Sequence, residues 1–274
     1  MQDSVPPWVV SHRDARGVVE LRLNRPDQFN VLSAEMIGAL QTHLDEIAKD
    51  SQIRAVVISA QGKAFCAGHN LKDMAAKQEL AFYQALFEQC SKMMLTIAKL
   101  PVPVIAKVQG LATAAGCQLV AQCDLAVCSP QARFATSGIA YGLFCSTPSV
   151  PLTRAIAPKR AMQMLLTGEF IDATSALRDG LVNAVAHDDS TQSLHAEVDK
   201  LLASILDKPR AALAWGKELV YRQQGLSLEA AYKLAAHTMA ANMMHEAAQE
   251  GVLAFTEKRV PSWKSTTHNT EEGA

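Results

Sequence analysis

Two short loops rich in small residues are the parts of this sequence best suited to chemistry. The first reads AFCAGHNLKDM over residues 64–74, and the second reads GLATAAGCQL over residues 110–119. Small residues let a ligand approach the backbone closely, and the second loop leads into a predicted helix, whose first N–H groups are unpaired and partly positive. If the loops face each other, one N–H from each could bind a developing oxyanion. For either loop alone, packing of small residues at a strand end is the alternative interpretation.

Other common catalytic templates are missing. The sequence contains no GxGxxG or GxxxxGK[ST] fingerprint for nucleotides and no GxSxG nucleophile elbow. His245 and Glu246 begin like a zinc-protease motif, but Gln249 stands where the second histidine would be, and the cysteines lack zinc-ligand spacing. We therefore expect neither a metal site nor a nucleotide cofactor.

Strands and helices alternate around the two loops and must position them. Continuous apolar runs predict buried strands, and apolar residues at helical spacing predict helices. The predicted strands cover 8–12, 17–24, 53–60, 101–108 and 123–129, and the predicted helices cover 33–49, 79–99 and 113–122. Short connections between them favour right-handed α/β crossovers. From about residue 146 the pattern is almost purely helical, so we predict an α/β body over 1–200 and a helical segment over 201–274.

The composition indicates a chain that builds a large core without a strong net charge. Of 274 residues, 49% are hydrophobic, and 26 basic residues balance 27 acidic ones. This balance gives no general attraction to nucleic acid or to an anionic membrane, and no apolar stretch is long enough for a membrane span. The six cysteines favour free buried thiols in a reducing compartment. We expect a cytoplasmic protein with no nucleic-acid or membrane partner.

Along nearly its whole length the sequence resembles the crotonase superfamily, the enoyl-CoA hydratase/isomerase group. The matching motifs, in order, are LNRPDQFNVLSAEM, AVVISAQGKAFCAGHNLKDM, PVPVIAKVQGLATAAGCQLVAQCDLAVCS, LLTGEFIDATSALRDGLVNAV and GVLAFTEKR. The resemblance implies an α/β fold, the crotonase-like spiral of ββα turns with a C-terminal helical trimerisation region. It also implies a homotrimer or a hexamer formed from two trimers.

The resemblance also assigns roles to individual residues. Family members bind an acyl-CoA as substrate, without a further cofactor, and stabilise its thioester enolate with two backbone N–H groups, which here belong to His69 and Ala115. Phe255 and Lys258 match positions that contact the CoA of a neighbouring subunit, and Arg25 is either a partner of CoA phosphates or a solvated turn arginine. The full set implied to bind substrate is Arg25, Ala67, Gly68, His69, Asn70, Leu71, Lys72, Ala115, Phe255 and Lys258.

Both glutamates that activate water in the family's hydratases are replaced. Their positions hold Gln118 and Gly138; the amide cannot take a proton near neutral pH, and glycine has no side chain. One positioned acid or base contributes about 10²- to 10⁴-fold, so losing two should cost about 10⁴-fold or more. Backbone donors survive such changes. We therefore expect acyl-CoA binding and enolate stabilisation with weak or absent hydration.

Several interpretations of the altered site stay open. The GHN sequence at residues 68–70 resembles the methylmalonyl-CoA decarboxylase branch of the superfamily, so decarboxylation or isomerisation is one alternative, and a non-catalytic acyl-CoA-binding or scaffold protein is another. Cys145, with Ser137 and Ser146, either lines the site or packs locally. The His69 ring either faces the site or points away. Asp124 is expected to accept backbone hydrogen bonds in a turn.

Overall fold

The strands of this protein form two sheets, and from β3 to β8 successive strands belong to the larger and the smaller sheet in turn. The computed structural model describes residues 6–265. In spatial order, the larger sheet contains β1 (Val9–Arg13), β2 (Val18–Leu23), β3 (Ala55–Ala60), β5 (Val104–Val108), β7 (Leu125–Cys128) and β10 (Ala184–Val185). The smaller sheet contains β4 (Ala64–Cys66), β6 (Leu111–Thr113), β8 (Arg133–Ala135) and β9 (Ile171–Asp172). Neighbouring strands are parallel except in the pairs β1–β2 and β8–β9.

From β3 to β8, each turn of the chain adds one strand to each sheet and then a helical stretch, whereas β1 and β2 both belong to the larger sheet. β3 is followed by β4, β5 by β6, and β7 by β8, and helices follow each pair. This confirms the predicted spiral of ββα turns. The strands β4 and β6 lie inside what the sequence predicts as loops, because three-residue strands are too short to show an alternating pattern.

The helices surround the sheets and then form the C-terminal part of the described chain. They are α1 (Ala34–Lys49), α2 (Leu71–Ala76), α3 (Leu80–Lys99), α4 (Ala115–Gln122), α5 (Ser146–Ala155), α6 (Pro158–Thr167), α7 (Ala173–Asp179), α8 (Thr191–Leu206), α9 (Arg210–Gln223), α10 (Leu228–Met243), α11 (Glu246–Thr256) and α12 (Ser262–Ser265). Over residues 6–265, no helix has the length and apolar character needed to cross a bilayer.

The core forms where apolar strands meet the apolar faces of these helices. α1 begins at the N-cap Ser33, whose hydroxyl accepts from the Met36 N–H, and its buried residues recur at helical spacing. β5 begins at Val104, three residues later than predicted, because Pro101 and Pro103 have no N–H to give to a ladder. All six cysteines are free and buried, as predicted.

α8 runs through the predicted boundary at residue 200, and its residues Leu194, Val198 and Leu202 are buried in a cluster with Val57 and other residues of the larger sheet. α9 begins after Pro209. The division into 1–200 and 201–274 stays a prediction. Neither α9 nor α10 has a fully buried residue. The predicted segment also includes residues 266–274, which lie outside the described residues.

Candidate functional site

The pairing of β4 with β6 brings the two candidate loops together. Because these strands are parallel, the segments that follow them leave from the same edge of the sheet. Gly68 has a φ of +93°, and a Cβ there would lie 2.9 Å from the Ala114 Cβ and 3.3 Å from the Ala115 nitrogen. The backbone around Gly68 therefore packs directly on the turn that starts α4, and a side chain at this position would separate them.

The turn at Ala114 holds a conformation that L-residues rarely adopt. Ala114 has φ 50° and ψ −120°, and its N–H donates to the Ala135 carbonyl at 3.0 Å. Such strain costs about 1–3 kcal/mol and persists only where surrounding contacts impose it. Ala115 is then the first residue of α4, so its N–H has no partner within the helix. Within residues 6–265, neither this N–H nor that of His69 donates a hydrogen bond to the protein.

Gly116 presses the start of α4 onto the strand that leads to His69. A Cβ at Gly116 would lie 2.1 Å from the Cys66 carbonyl oxygen and 2.9 Å from the Cys66 Cβ. Real Cβ atoms do not come this close to backbone. The two donor-bearing segments are thus fixed against each other by two glycines, Gly68 and Gly116.

A buried asparagine that the sequence analysis did not identify, Asn30, is hydrogen-bonded to the start of the first loop. Asn30 has a φ of +52° and no exposed surface. Its amide donates to the carbonyls of Gln61 and Ala64, each at 2.9 Å, and its Oδ1 accepts from the Arg25 N–H at 2.8 Å. Asparagine tolerates left-handed backbone and bonds to nearby main chain. Its position three residues before Ser33, the N-cap of α1, is the sequence signal that could have identified it.

The His69 ring is held on the side of the loop that faces α3. Its Nδ1–H donates to the Leu32 carbonyl at 3.1 Å, and the ring meets Phe87 edge-on with centroids 5.3 Å apart. Burial lowers the pKa of His69 below its usual value, although the bond to Leu32 favours the charged form. The ring is therefore neutral at neutral pH, and its buried Nε2 has no partner in the described part of the chain.

Gln118 lies one turn after Ala115 and keeps an unsatisfied polar atom. The residue is 3% exposed, and its Oε1 is buried without a hydrogen-bond partner among residues 6–265. An unpaired buried acceptor costs about 1–3 kcal/mol, so this atom is suited to a ligand or water that brings a donor. It cannot act as a base.

At Gly138 the chain itself fills the space where a side chain would begin. A Cβ there would lie 2.5 Å from the Leu143 carbonyl oxygen and 2.9 Å from the Cys145 Sγ. Cys145 is 6% exposed and belongs to the same buried cluster as Cys117 of α4. Burial raises the pKa of Cys145. Cys145 therefore closes the position of the second glutamate and is not a thiolate nucleophile at neutral pH.

Contrary to expectation, the Arg25 side chain is not free to meet a phosphate in this structure. The side chain is buried, and its guanidinium donates to the carbonyls of Pro6, Pro7 and Asn24 at 2.6–3.0 Å. It also stacks on Trp8 at 4.1 Å from the ring centroid. The alternative of a solvated turn arginine is equally wrong. Arg25 fixes the N-terminal segment to the body.

The other implied binding residues occupy two separate places. Beside His69, the Asn70 side chain caps α2 by accepting from the Lys72 N–H at 3.1 Å, and Leu71 and Lys72 are exposed. Phe255, 84% exposed, lines an apolar groove between α9, α10 and α11 that contains none of the residues around Ala115. Lys258 follows with a φ of +55° and is exposed. In the part of the chain described here, no three His, Cys, Asp or Glu side chains gather in a way that could hold a metal.

The comparisons with known proteins define the class to which this fold and site belong. The model of the family "Enoyl-CoA hydratase/isomerase" matches residues 13–266, so the chain belongs to that family. It is 45% identical over 247 residues to enoyl-CoA hydratase domain-containing protein 3, mitochondrial, of Xenopus laevis, covering 90% of this chain and 83% of the relative. The sequence motifs ATAAGCQLVA and GLFCSTP favour the same type.

Solved structures agree with this assignment. A crystal structure of an enoyl-CoA hydratase from Mycobacterium smegmatis is 52% identical and superposes with a TM-score of 0.91, covering 94% of this chain and all of that one. The crystal structure of human enoyl-CoA hydratase domain-containing protein 3 is 40% identical, with a TM-score of 0.88 over 93% of this chain and all of that one.

Proposed function

We propose that this protein binds an acyl-CoA and stabilises its thioester enolate with the backbone N–H groups of His69 and Ala115. The observation that supports this most directly is the contact of Gly68 with the Ala114–Ala115 turn, because the segments that carry the two N–H groups pack against each other there. Two converging donors can hold the negative charge that develops on a carbonyl oxygen, each worth about 3 kcal/mol. The CoA thioester is the substrate, and the proposal requires no other cofactor.

We propose further that ordinary hydration is weak or absent. Hydration of an enoyl thioester needs a group that removes a proton from water, and the positions of Gln118 and Gly138 supply none. Measuring crotonyl-CoA hydration by the purified protein tests this. We expect turnover at least about 10⁴-fold below that of an ordinary hydratase. A rate within tenfold of such an enzyme would show that another residue supplies the base.

A different enolate reaction is the second candidate, and the state of His69 favours it. The neutral ring, with its buried and unpaired Nε2, lies next to a proposed oxyanion donor without a carboxylate at position 118 or 138. Decarboxylation needs an enolate to be stabilised but no strong base, and isomerisation needs a proton moved between carbons. A panel of malonyl-type and 3-enoyl thioesters separates these reactions. Micromolar CoA-ester binding without any product would favour a non-catalytic binding or scaffold protein.

We propose that a homotrimer, alone or paired into a hexamer, is the working form. The exposed apolar residues of the last long helices support an assembly that covers them; they are Leu228, Tyr232, Met239, Met243, Met244, Val252, Leu253 and Phe255. In such an assembly Phe255 and Lys258 could reach a neighbouring subunit's CoA. Light scattering on the purified protein gives the assembly size, and a monomer at micromolar concentration would contradict the proposal. The cytoplasmic location stays a prediction, and the Xenopus laevis relative named above is a mitochondrial protein.

A further inference from the structure

A lysine of the helical segment reaches deep into the body. The Lys217 ammonium of α9 donates to the carbonyls of Ile97 and Val102 at 2.9 and 3.0 Å and to the Asp124 carboxylate at 2.6 Å. Only 8% of its side chain is exposed. Burial lowers the pKa of Lys217, and the charge of Asp124 opposes that shift. All three donors of the ammonium are therefore in use.

One turn further along α9, Tyr221 completes the contact. Its hydroxyl lies 3.0 Å from Oδ1 of Asp124 and 3.4 Å from the carbonyl of Gln122, the last residue of α4. The other carboxylate oxygen of Asp124 accepts from the Val104 N–H at 2.7 Å. Asp124 therefore accepts a backbone hydrogen bond as expected, but from strand β5 and not from within a turn. We call Lys217, Tyr221 and their partner Asp124 the α9 latch.

The α9 latch lies at one end of a helix whose other end carries a proposed oxyanion donor. α4 has eight residues and is about 12 Å long. A helix this short moves as a unit, so a shift at Gln122 also changes the direction of the Ala115 N–H. Gly116 fixes the first turn against β4, and the latch fixes the end.

We propose that the α9 latch positions the Ala115 N–H, which makes Lys217 and Tyr221 positioning residues for the thioester carbonyl. The inference rests on the proposed function, because it takes Ala115 as an oxyanion donor. A buried ion pair is an inefficient source of stability, since desolvation offsets the attraction between its charges. The contribution of the latch is to fix a position. Five hydrogen bonds of 3.0 Å or less hold Lys217, Tyr221 and Asp124 in place, and with Asp124 the end of α4.

The test uses a probe that reports carbonyl polarisation in the full-length protein. The probe is 4-(dimethylamino)cinnamoyl-CoA, whose absorption moves to longer wavelength when hydrogen bonds polarise its thioester carbonyl. The variants are Tyr221→Phe, which removes one hydroxyl, and Lys217→Met, which removes the ammonium. Lys200→Met is the matched control, because Lys200 is exposed on α8. Circular dichroism and light scattering establish that each variant is folded and assembled like the wild type.

We expect the wild-type complex to show a red shift, Lys200→Met to keep it, and Tyr221→Phe to lose at least half of it while the dissociation constant changes less than about threefold. Lys217→Met should lose more of the shift; if it fails to fold, Tyr221→Phe decides. A folded Tyr221→Phe protein with the full shift would overturn the latch while leaving the proposed function intact. A wild-type protein that binds the probe without any shift would overturn the proposed function and the latch with it.

Discussion

The two sides of the candidate site differ in what supplies their chemistry. On one side, His69 and Ala115 offer main-chain N–H groups, and glycines at 68 and 116 bring their segments into contact. On the other side, where hydratases use side chains, this chain has at Gln118 an amide oxygen without a partner among the described residues and has no side chain at position 138. A function carried by backbone depends on the fold alone, so it can persist while a function carried by side chains is lost.

The largest effect on stability and binding should come from removing the contact between the segments that carry His69 and Ala115. Gly116→Ala places a methyl group 2.1 Å from the Cys66 carbonyl oxygen, where only backbone could yield. We expect a loss of at least about 3 kcal/mol in the free energy of unfolding, or failure to fold, with loss of CoA-ester binding. Urea denaturation and titration with an acyl-CoA measure both.

Gly216→Ala is the matched control for that substitution. Gly216 lies inside α9, and among residues 6–265 no heavy atom other than those of its chain neighbours and the backbone of α9 lies within 4 Å of the place where the alanine methyl group would sit. Alanine should therefore stabilise the helix by up to about 1 kcal/mol. If Gly116→Ala were as stable as Gly216→Ala, α4 would be free to move away from β4, and the backbone side of the site would not be fixed by packing.

Placing glutamates at positions 118 and 138, as in hydratases, should not restore ordinary hydration. Gly138→Glu directs a Cβ into the Leu143 carbonyl and the Cys145 thiol, so we expect it to cost about 1–3 kcal/mol. Combined with Gln118→Glu, it should raise crotonyl-CoA hydration less than tenfold. Gln118→Glu alone is the control, because its shape is unchanged. A gain of more than about 10²-fold in the double variant would show that the 143–145 segment moves aside readily.

The sequence predicts the fold well because the fold depends on patterns of several residues, whereas the donor roles of His69 and Ala115 stay a prediction. Buried strands such as β3 and the helix after Ser33 follow from apolar spacing and capping. The environment of Arg25 could not be predicted, since its partners are main-chain carbonyls that carry no residue-type signal. The closure over Gly138 also depends on how a loop returns, which periodicity does not encode. Contacts such as Lys217 with Asp124 join residues 93 positions apart.

Replacing Arg25 tests whether its environment excludes a role in CoA binding. Arg25→Met removes three hydrogen bonds, two to carbonyls of the N-terminal segment and one to the Asn24 carbonyl, and the contact with Trp8, so we expect a cost of about 1–2 kcal/mol. Affinity for a CoA ester should change less than about threefold. Arg22→Met, at an exposed position on β2, controls for the lost charge. A tenfold weaker affinity in Arg25→Met alone would return Arg25 to the binding residues.

The smallest expected effect separates the His69 side chain from the His69 backbone. Burial lowers the pKa of the native ring below the usual value near 6.5, so at mildly acid pH the unfolded chain binds more protons than the native one. Stability must then fall as pH drops through 6.5, by at most about 1.4 kcal/mol per pH unit for one group. His69→Asn, which keeps a donor for the Leu32 carbonyl, should flatten this slope between pH 7.5 and 5.5, measured by urea denaturation.

His12→Asn, at an exposed position on β1, is the matched control substitution. Because the proposed oxyanion donor at residue 69 is a main-chain N–H, His69→Asn should keep the red shift of bound 4-(dimethylamino)cinnamoyl-CoA while it loses the pH dependence. If the shift disappeared with the ring in a folded protein, the imidazole itself would contribute to carbonyl polarisation. His69 would then contribute through both its main-chain N–H and its side chain, and it could no longer be counted among the groups that act through the backbone alone.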